Sequence, residues 1–343
     1  MTFHVGPIPV ETQVLLAPMS GISDLPFRQA AARAGAGYVV SEMVASEDLA
    51  GARPDVVLRA ALDDTIGPKV IQLAGREAKW MAEGAKIAEA MGADIIDINM
   101  GCPARKVTGL LSGSALMRDL DHAERLIRAT VDAVAVPVTL KMRLGWDWQS
   151  INAPELAERA KAAGIQMLTV HGRTRCDFYK GTANWSAIRS VTDATDLPLV
   201  VNGDIATASD ARAALAQSGA TAVMVGRAVT GQLWLPRALD EALTKGGDVI
   251  LPPFHARGSM AVSHYRATIE HYRHGHAGGE DAGLSLGIRM ARKHLAALID
   301  ATPEFDRATA KAAKSLLCTL QNPDDVAAEL ARLFEGCYEK VAA

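Results

Sequence analysis

The stretch Gly92-Ala93-Asp94-Ile95-Ile96-Asp97-Ile98-Asn99-Met100-Gly101-Cys102-Pro103 sets the reading of the whole chain. Gly92 closes an Ala-rich amphipathic segment. The apolar run Ile95–Ile98 then reads as a strand buried on both faces, and polar or special residues follow it at once. The thiol of Cys102, set between a glycine and a proline just past a strand end, is a candidate proton donor or nucleophile. A free cysteine often packs as a small hydrophobe, so the thiol means little by itself. Its weight comes from repetition of the same unit along the chain.

From Val14 to about residue 246 the pattern recurs eight times, with apolar runs at 14–17, 38–40, 70–73, 95–98, 138–141, 167–170, 199–201 and 222–225. Helical stretches such as 77–91, 122–134, 154–163 and 209–218 lie between them, several ending at Gly92, Gly164 or Gly219. Eight strand–helix alternations over this length predict an α/β fold of the (β/α)₈ TIM-barrel class, in preference to a doubly wound sheet. Gly35-Ala36-Gly37 precedes a strand run, so it reads as a helix stop and not as a dinucleotide fingerprint. Past Gly246-Gly247 and Pro252-Pro253 strand runs give way to helical segments at about 258–274, 284–299, 308–318 and 324–341. The expected organisation is a barrel domain over 1–246 and a small helical domain over 247–343.

Composition narrows the class. The 343 residues are 49% hydrophobic and 22% charged, with a formal net charge of −3, which describes a globular protein and excludes a uniformly basic one. The four cysteines, Cys102, Cys176, Cys318 and Cys337, show no C-x-x-C spacing and fit a reduced intracellular setting. No leader or membrane span is legible, so the expectation is cytoplasmic, with a monomer expected in the absence of any implied protein partner. Six of the nine histidines, together with Arg257, Arg266, Arg273, Arg289, Arg292 and Lys293, fall between 255 and 294. Such a helical region is either a solvated charged face or a grip on RNA backbone. His271, His274 and His276 lack a completing ligand set, so no metal is expected.

Active sites in this barrel class sit where strands run into their following loops. Those positions hold Pro18-Met19-Ser20, Ser41-Glu42, Gln72, Asn99 to Cys102, Lys141 and Arg143, His171 and Arg173, Asn202-Gly203-Asp204, and Gly226-Arg227. Lys141 ends an apolar strand and needs either an anionic ligand or a carboxylate such as Asp97 or Glu42. The turns after strands seven and eight are where barrels commonly hold phosphate, with Arg227 as its bidentate partner or simply a solvated cation at a helix start. Pro18-Met19 offers a polarizable apolar surface and Gln72 a donor and an acceptor. A flat heteroaromatic with a phosphate tail satisfies these groups together, and flavin mononucleotide (FMN) is the economical choice.

The same residues carry a family resemblance. Leu16-Ala17-Pro18-Met19-Ser20-Gly21-Ile22-Ser23-Asp24-Leu25-Pro26-Phe27-Arg28, Asp97 to Pro103, Lys141-Met142-Arg143-Leu144-Gly145, His171-Gly172-Arg173-Thr174-Arg175 and Val201-Asn202-Gly203-Asp204 together resemble the tRNA-dihydrouridine synthases, most closely the bacterial B-type branch. The likeness spans essentially the whole chain, including Arg292-Lys293-His294. It implies reduction of the C5=C6 bond of a uridine in the tRNA D-loop by bound FMN, with NADPH or NADH as electron donor. It further implies that Cys102 protonates C5, a role suited to a thiol, whose ordinary pKa of about 8.5 keeps it protonated at neutral pH.

By resemblance, Pro18, Met19, Ser20, Gln72, Lys141, His171, Asn202, Gly203, Asp204, Gly226 and Arg227 look like flavin contacts, and Asn99, Arg143 and Tyr179 like groups on the uracil edge. Tyr179 also reads as ordinary loop packing. Arg266, Arg289, Arg292, Lys293 and His294 are the candidates for gripping tRNA, so replacing Arg292 and Lys293 together is expected to weaken tRNA binding and spare NADPH oxidation. Two other readings remain: an FMN-dependent dehydrogenase of a free pyrimidine, to which a basic helical domain gives nothing, and a non-catalytic RNA-binding barrel. The tract 274–283 has no counterpart in the resemblance, and the helix boundary there is open.

Overall fold

The structure, a computed structural model, describes residues 2–109 and 111–335, with Lys106 described by its backbone alone. Cys337 and the end of the expected last helix lie outside the described residues. Ten strands form two sheets. A short antiparallel hairpin pairs β1 (Phe3–Val5) with β2 (Ile8–Val10), and β3 to β10 close a parallel barrel. The barrel strands are β3 (Val14–Leu16), β4 (Val39–Ala45), β5 (Lys69–Ala74), β6 (Ile95–Met100), β7 (Val138–Arg143), β8 (Leu168–His171), β9 (Leu199–Asn202) and β10 (Ala222–Val225). Each pairs in parallel with its sequence neighbours and β10 pairs back onto β3, which is the expected (β/α)₈ topology.

Alternation along the strands decides what faces where. Val14, Leu16, Ile96, Ile98, Leu140 and Val201 pack outward with the helices, whereas Leu15, Val40, Val70, Ile95, Val200 and Met224 form a second, interior cluster. The N-terminal hairpin adds Phe3, Val5 and Val10 to that interior cluster and so plugs one end of the barrel. The sequence reading assigned no structure to this hairpin, whose strands are three residues long, with Pro7 in the turn and Pro9 in the second strand. Strand β4 runs from Val39 to Ala45, well past the expected 38–40, because a register irregularity between Val40 and Met43 lets polar Ser41 and Glu42 stay in the strand.

Local signals account for the helices. Leu25–Arg33 starts where Asp24 accepts the Phe27 N–H, and Ala208–Ser218 starts on a Thr207/Asp210 capping box and stops at Gly219, whose φ of 70° suits glycine. After Pro253 four helices follow: Phe254–Gly275, Glu280–Asp300, Arg307–Leu317 and Pro323–Phe334. They share a hydrophobic cluster of their own, built on Ile269, Leu295, Leu317, Leu330 and Phe334. The Gly- and His-rich tract left open above is the turn between the first two, with helix resuming at Glu280.

Candidate active site

The interior apolar cluster fills only the plugged half of the barrel. Above it the inward positions turn polar in register: Gln72 is paired with Asp97, Asp97 with Thr139, Asn99 with Lys141, Arg143 with His171, and His171 with Asn202. Polar side chains from five adjacent strands therefore converge on the C-terminal mouth, where barrel chemistry is housed.

The Gly-Cys-Pro turn is held from beneath by a chain of hydrogen bonds. Thr139 Oγ1 donates to Asp97 at 2.7 Å, Gln72 Nε2 donates to the other Asp97 oxygen at 2.7 Å, and Asn99 Nδ2 donates to Gln72 Oε1 at 2.7 Å. Asn99 Oδ1 then accepts the backbone N–H groups of Gly101 (3.2 Å) and Cys102 (3.0 Å). From the far side Ser114 Oγ donates to the Cys102 carbonyl at 2.8 Å and Arg143 Nε to the Gly101 carbonyl at 2.8 Å. The free, half-buried thiol of Cys102 thus sits on a turn in which the N–H and carbonyl groups of Gly101 and Cys102 are engaged. Asn99 belongs to that support: its oxygen is taken, leaving one N–H for a ligand. Arg143 is likewise committed, with Nη1 donating to the Thr174 and Phe178 carbonyls, so that Nη2 remains for the mouth.

Lys141 makes no contact with a carboxylate. Its ammonium donates to Asn202 Oδ1 at 3.0 Å, and Asn202 Nδ2 donates to the Met224 carbonyl. Burial lowers the Lys141 pKa to about 8, against the attraction of Asp97. Burial also raises Asp97, despite its bonds from Gln72 and Thr139. His171 is held well below its ordinary value by burial and by the charges of Lys141, Arg143, Arg173 and Arg227, so its imidazole is neutral. Arg173 Nη1 lies 3.3 Å from His171 Nε2. A guanidinium only donates, so Nε2 accepts and Nδ1 carries the hydrogen.

Arg173, which the sequence reading placed at a strand end without a role, is the hub of the loop after β8. It is buried, binds Asp204 through both terminal nitrogens, and donates to the Lys180 and Gly181 carbonyls. Its inward parity, two residues past His171, was the available signal. Asp204 also takes the Ala183 N–H and, at 3.0 Å, the exposed Arg227. These bonds outweigh burial and lower its carboxyl. Gly203 has φ +117°, and a Cβ there would stand 2.7 Å from Ala183 Cβ. At Gly226 a Cβ would meet Ala17 Cβ at 3.7 Å and Met19 Sδ at 3.9 Å, ordinary contact distances, so the Gly226 backbone lies directly beside Met19. Half-buried Pro18 and exposed Ser20 flank Met19. Tyr179 is 54% exposed, with the Arg143 and Arg227 guanidinium groups 5.5 and 5.2 Å from its ring centre.

The helical candidates divide. Arg266 and Arg289 are exposed and make no ion pair among the described residues, as a backbone grip requires, and Arg292 is half-buried. Lys293 and His294 lie differently. Lys293 Nζ turns inward and donates to the Gly21 carbonyl beside the mouth, while His294 is buried and stacks on Phe27 at 5.4 Å. Neither presents a cation outward. The donor atoms of His294, His264 and Asp24 lie within 4.8 Å of one another, and burial with the charge of Lys293 holds both imidazoles neutral. No helix among the described residues is long and apolar enough to cross a membrane.

Comparison with known proteins matches this architecture to one family. The dihydrouridine synthase (Dus) family model covers residues 15–327. The chain is 49% identical to a probable tRNA-dihydrouridine synthase of Rhodobacter capsulatus over the full length of both, and 51% identical to one of Rhizobium leguminosarum over 94% of this chain and 95% of that one. It is 40% identical to tRNA-dihydrouridine synthase B of Pseudomonas aeruginosa over 85% of each chain. Among solved structures, morphinone reductase in complex with tetrahydroNAD superposes with a TM-score of 0.51 at 15% identity, covering 71% of this chain and 90% of that one, a likeness of fold. The chain belongs to the dihydrouridine synthase family.

Proposed function

We propose that the protein is a tRNA-dihydrouridine synthase that holds FMN in the barrel mouth, takes electrons from NADPH or NADH, and reduces the C5=C6 bond of a D-loop uridine. The observation that carries this reading is the convergence of an engaged Gly-Cys-Pro turn with a desolvated ammonium at Lys141, which makes no direct ion pair among the described residues, on the inward face of adjacent strands.

The donor set fits FMN. Lys141 offers a cation to the electron-rich edge of a heteroaromatic, Gln72 and Asn202 line the same face, and neutral His171 offers one N–H. Met19 and Gly226, side by side, offer an apolar surface for a flat ring, and Gly203, Asp204 and Arg227 supply backbone N–H groups and a guanidinium for a phosphate tail. When bound, the flavin supplies a hydride to uracil C6. Negative charge then gathers at C5 and the 4-carbonyl, and Cys102 Sγ–H delivers the proton to C5. Arg143 Nη2 and the Tyr179 face orient the uracil. The target base has to leave the tRNA stack to reach this depth, which assigns Arg266, Arg289 and Arg292 to the RNA backbone.

Mass spectrometry of unmodified tRNA incubated with the protein and NADPH tests the reading. A gain of two hydrogens on a D-loop uridine, lost in Cys102→Ala, is the expected outcome. Reduction of a free pyrimidine with no change to RNA overturns it.

A further inference from the structure

We propose that Lys293 and Tyr272, on the two long C-terminal helices, are positioning residues for the redox pocket: they fix the loop over 18–24 that carries Met19, so the helical bundle completes the mouth. The inference rests on the flavin reading above.

The loop leaves β3 as a tight, self-bonded turn. Met19 N–H donates to Ser23 Oγ at 2.8 Å, and the Ile22 and Ser23 N–H groups both donate to the Met19 carbonyl at 2.9 Å. A unit closed on itself moves as one body, so its placement depends on its outside anchors. The Gly21 peptide is held at both ends: its N–H donates to the Glu42 carboxylate of β4, and its carbonyl accepts from Lys293 Nζ. At the far end of the loop Asp24 accepts from Tyr272 Oη at 2.9 Å. Arg28 Nε adds a bond to the Ser23 carbonyl at 3.1 Å, so two of these four anchors come from helices that follow Pro253.

Electrostatics gives Lys293 more weight than one hydrogen bond. Glu42 and Asp24 are 4% and 2% exposed, and Lys293 is the ammonium that acts on both carboxyls, each raised by burial. Without it two buried carboxyls are left with Arg28 as their shared cation, and the Gly21 carbonyl loses its donor, a combination costlier than the loss of a surface pair. What shifts in consequence is Met19, whose sulfur packs beside Gly226.

Flavin titration of the deflavinated full-length protein, read by flavin fluorescence and visible spectrum, tests the assignment. Lys293→Met is expected to raise the FMN dissociation constant roughly tenfold or more and to shift the bound-flavin spectrum. Lys293→Arg recovers most of the affinity, Tyr272→Phe gives a smaller loss, and Lys311→Met on the same bundle gives none. Affinity of Lys293→Met for tRNA stays within about twofold of wild type, since its ammonium does not face outward. Wild-type FMN affinity in a folded Lys293→Met overturns the proposal. If that variant does not fold, wild-type affinity and spectrum in Tyr272→Phe overturn it. Failure of the unsubstituted protein to bind FMN overturns the flavin reading itself, a distinct result.

Discussion

At the scale of single residues, Asn99 and Lys141 carry the sharpest consequences. Asn99 Oδ1 gathers two backbone N–H groups under the Cys102 turn, so Asn99→Ala is expected to lower kcat for uridine reduction by roughly 10- to 100-fold while FMN content stays unchanged. Stopped-flow comparison of the two half-reactions checks this, because only the step that needs the thiol should slow. Lys141, with a pKa of about 8, is an ammonium below that pH and a neutral amine above it. Affinity for an anionic flavin edge should therefore fall as pH rises through about 8, and Lys141→Met should bind weakly with no such dependence. Both residues were legible as site members from their place at strand ends. The loop partners of Asn99 and Arg143 were not, because those bonds run to loop peptides whose path no strand pattern encodes.

Among secondary-structure elements, parity explains most of what the sequence could and could not tell. On β6 and β7 the polar residues Asp97, Asn99, Thr139, Lys141 and Arg143 all share the inward parity, so the two-residue period marks the mouth directly. The extension of β4 past Val40 escaped because an irregular register breaks that period. For the helix Glu280–Asp300 the sign was present: Gly283, Gly287, Ala291, His294 and Leu298 recur every three or four residues and form its buried face. Reading that face places His294 inside and Arg289 outside, whereas reading Arg292-Lys293-His294 as one basic cluster does not. The turn after β9 makes a separate prediction. Gly203→Ala has to place a Cβ against Ala183 and His171 at a positive φ, and should cost about 1–3 kcal/mol, seen as a lowered Tm.

The whole molecule is a barrel and a bundle joined through a seam that is itself titratable. His264 and His294 lie in this seam beside Phe27 and face Asp24 and Lys293, with Asp24 held in turn by Tyr272. The His264 pKa is lowered to about 4, mainly by burial, while an unfolded histidine titrates near 6.5. Below that value the unfolded chain binds the proton and the native one does not, so stability is full above about pH 6.5 and is lost as pH falls toward 4. Unfolding free energy at pH 5 should be lower than at pH 7.5 by about 2 kcal/mol from His264, and His264→Gln should narrow the gap. The hairpin that plugs the opposite end of the barrel bears on kinetics. With that end filled by Phe3, Val5 and Val10, the polar C-terminal mouth is the open end of the barrel. On the function proposed above, a nicotinamide and a folded nucleic acid would share that mouth, so initial rates should give parallel double-reciprocal lines, and excess of either partner should inhibit the other.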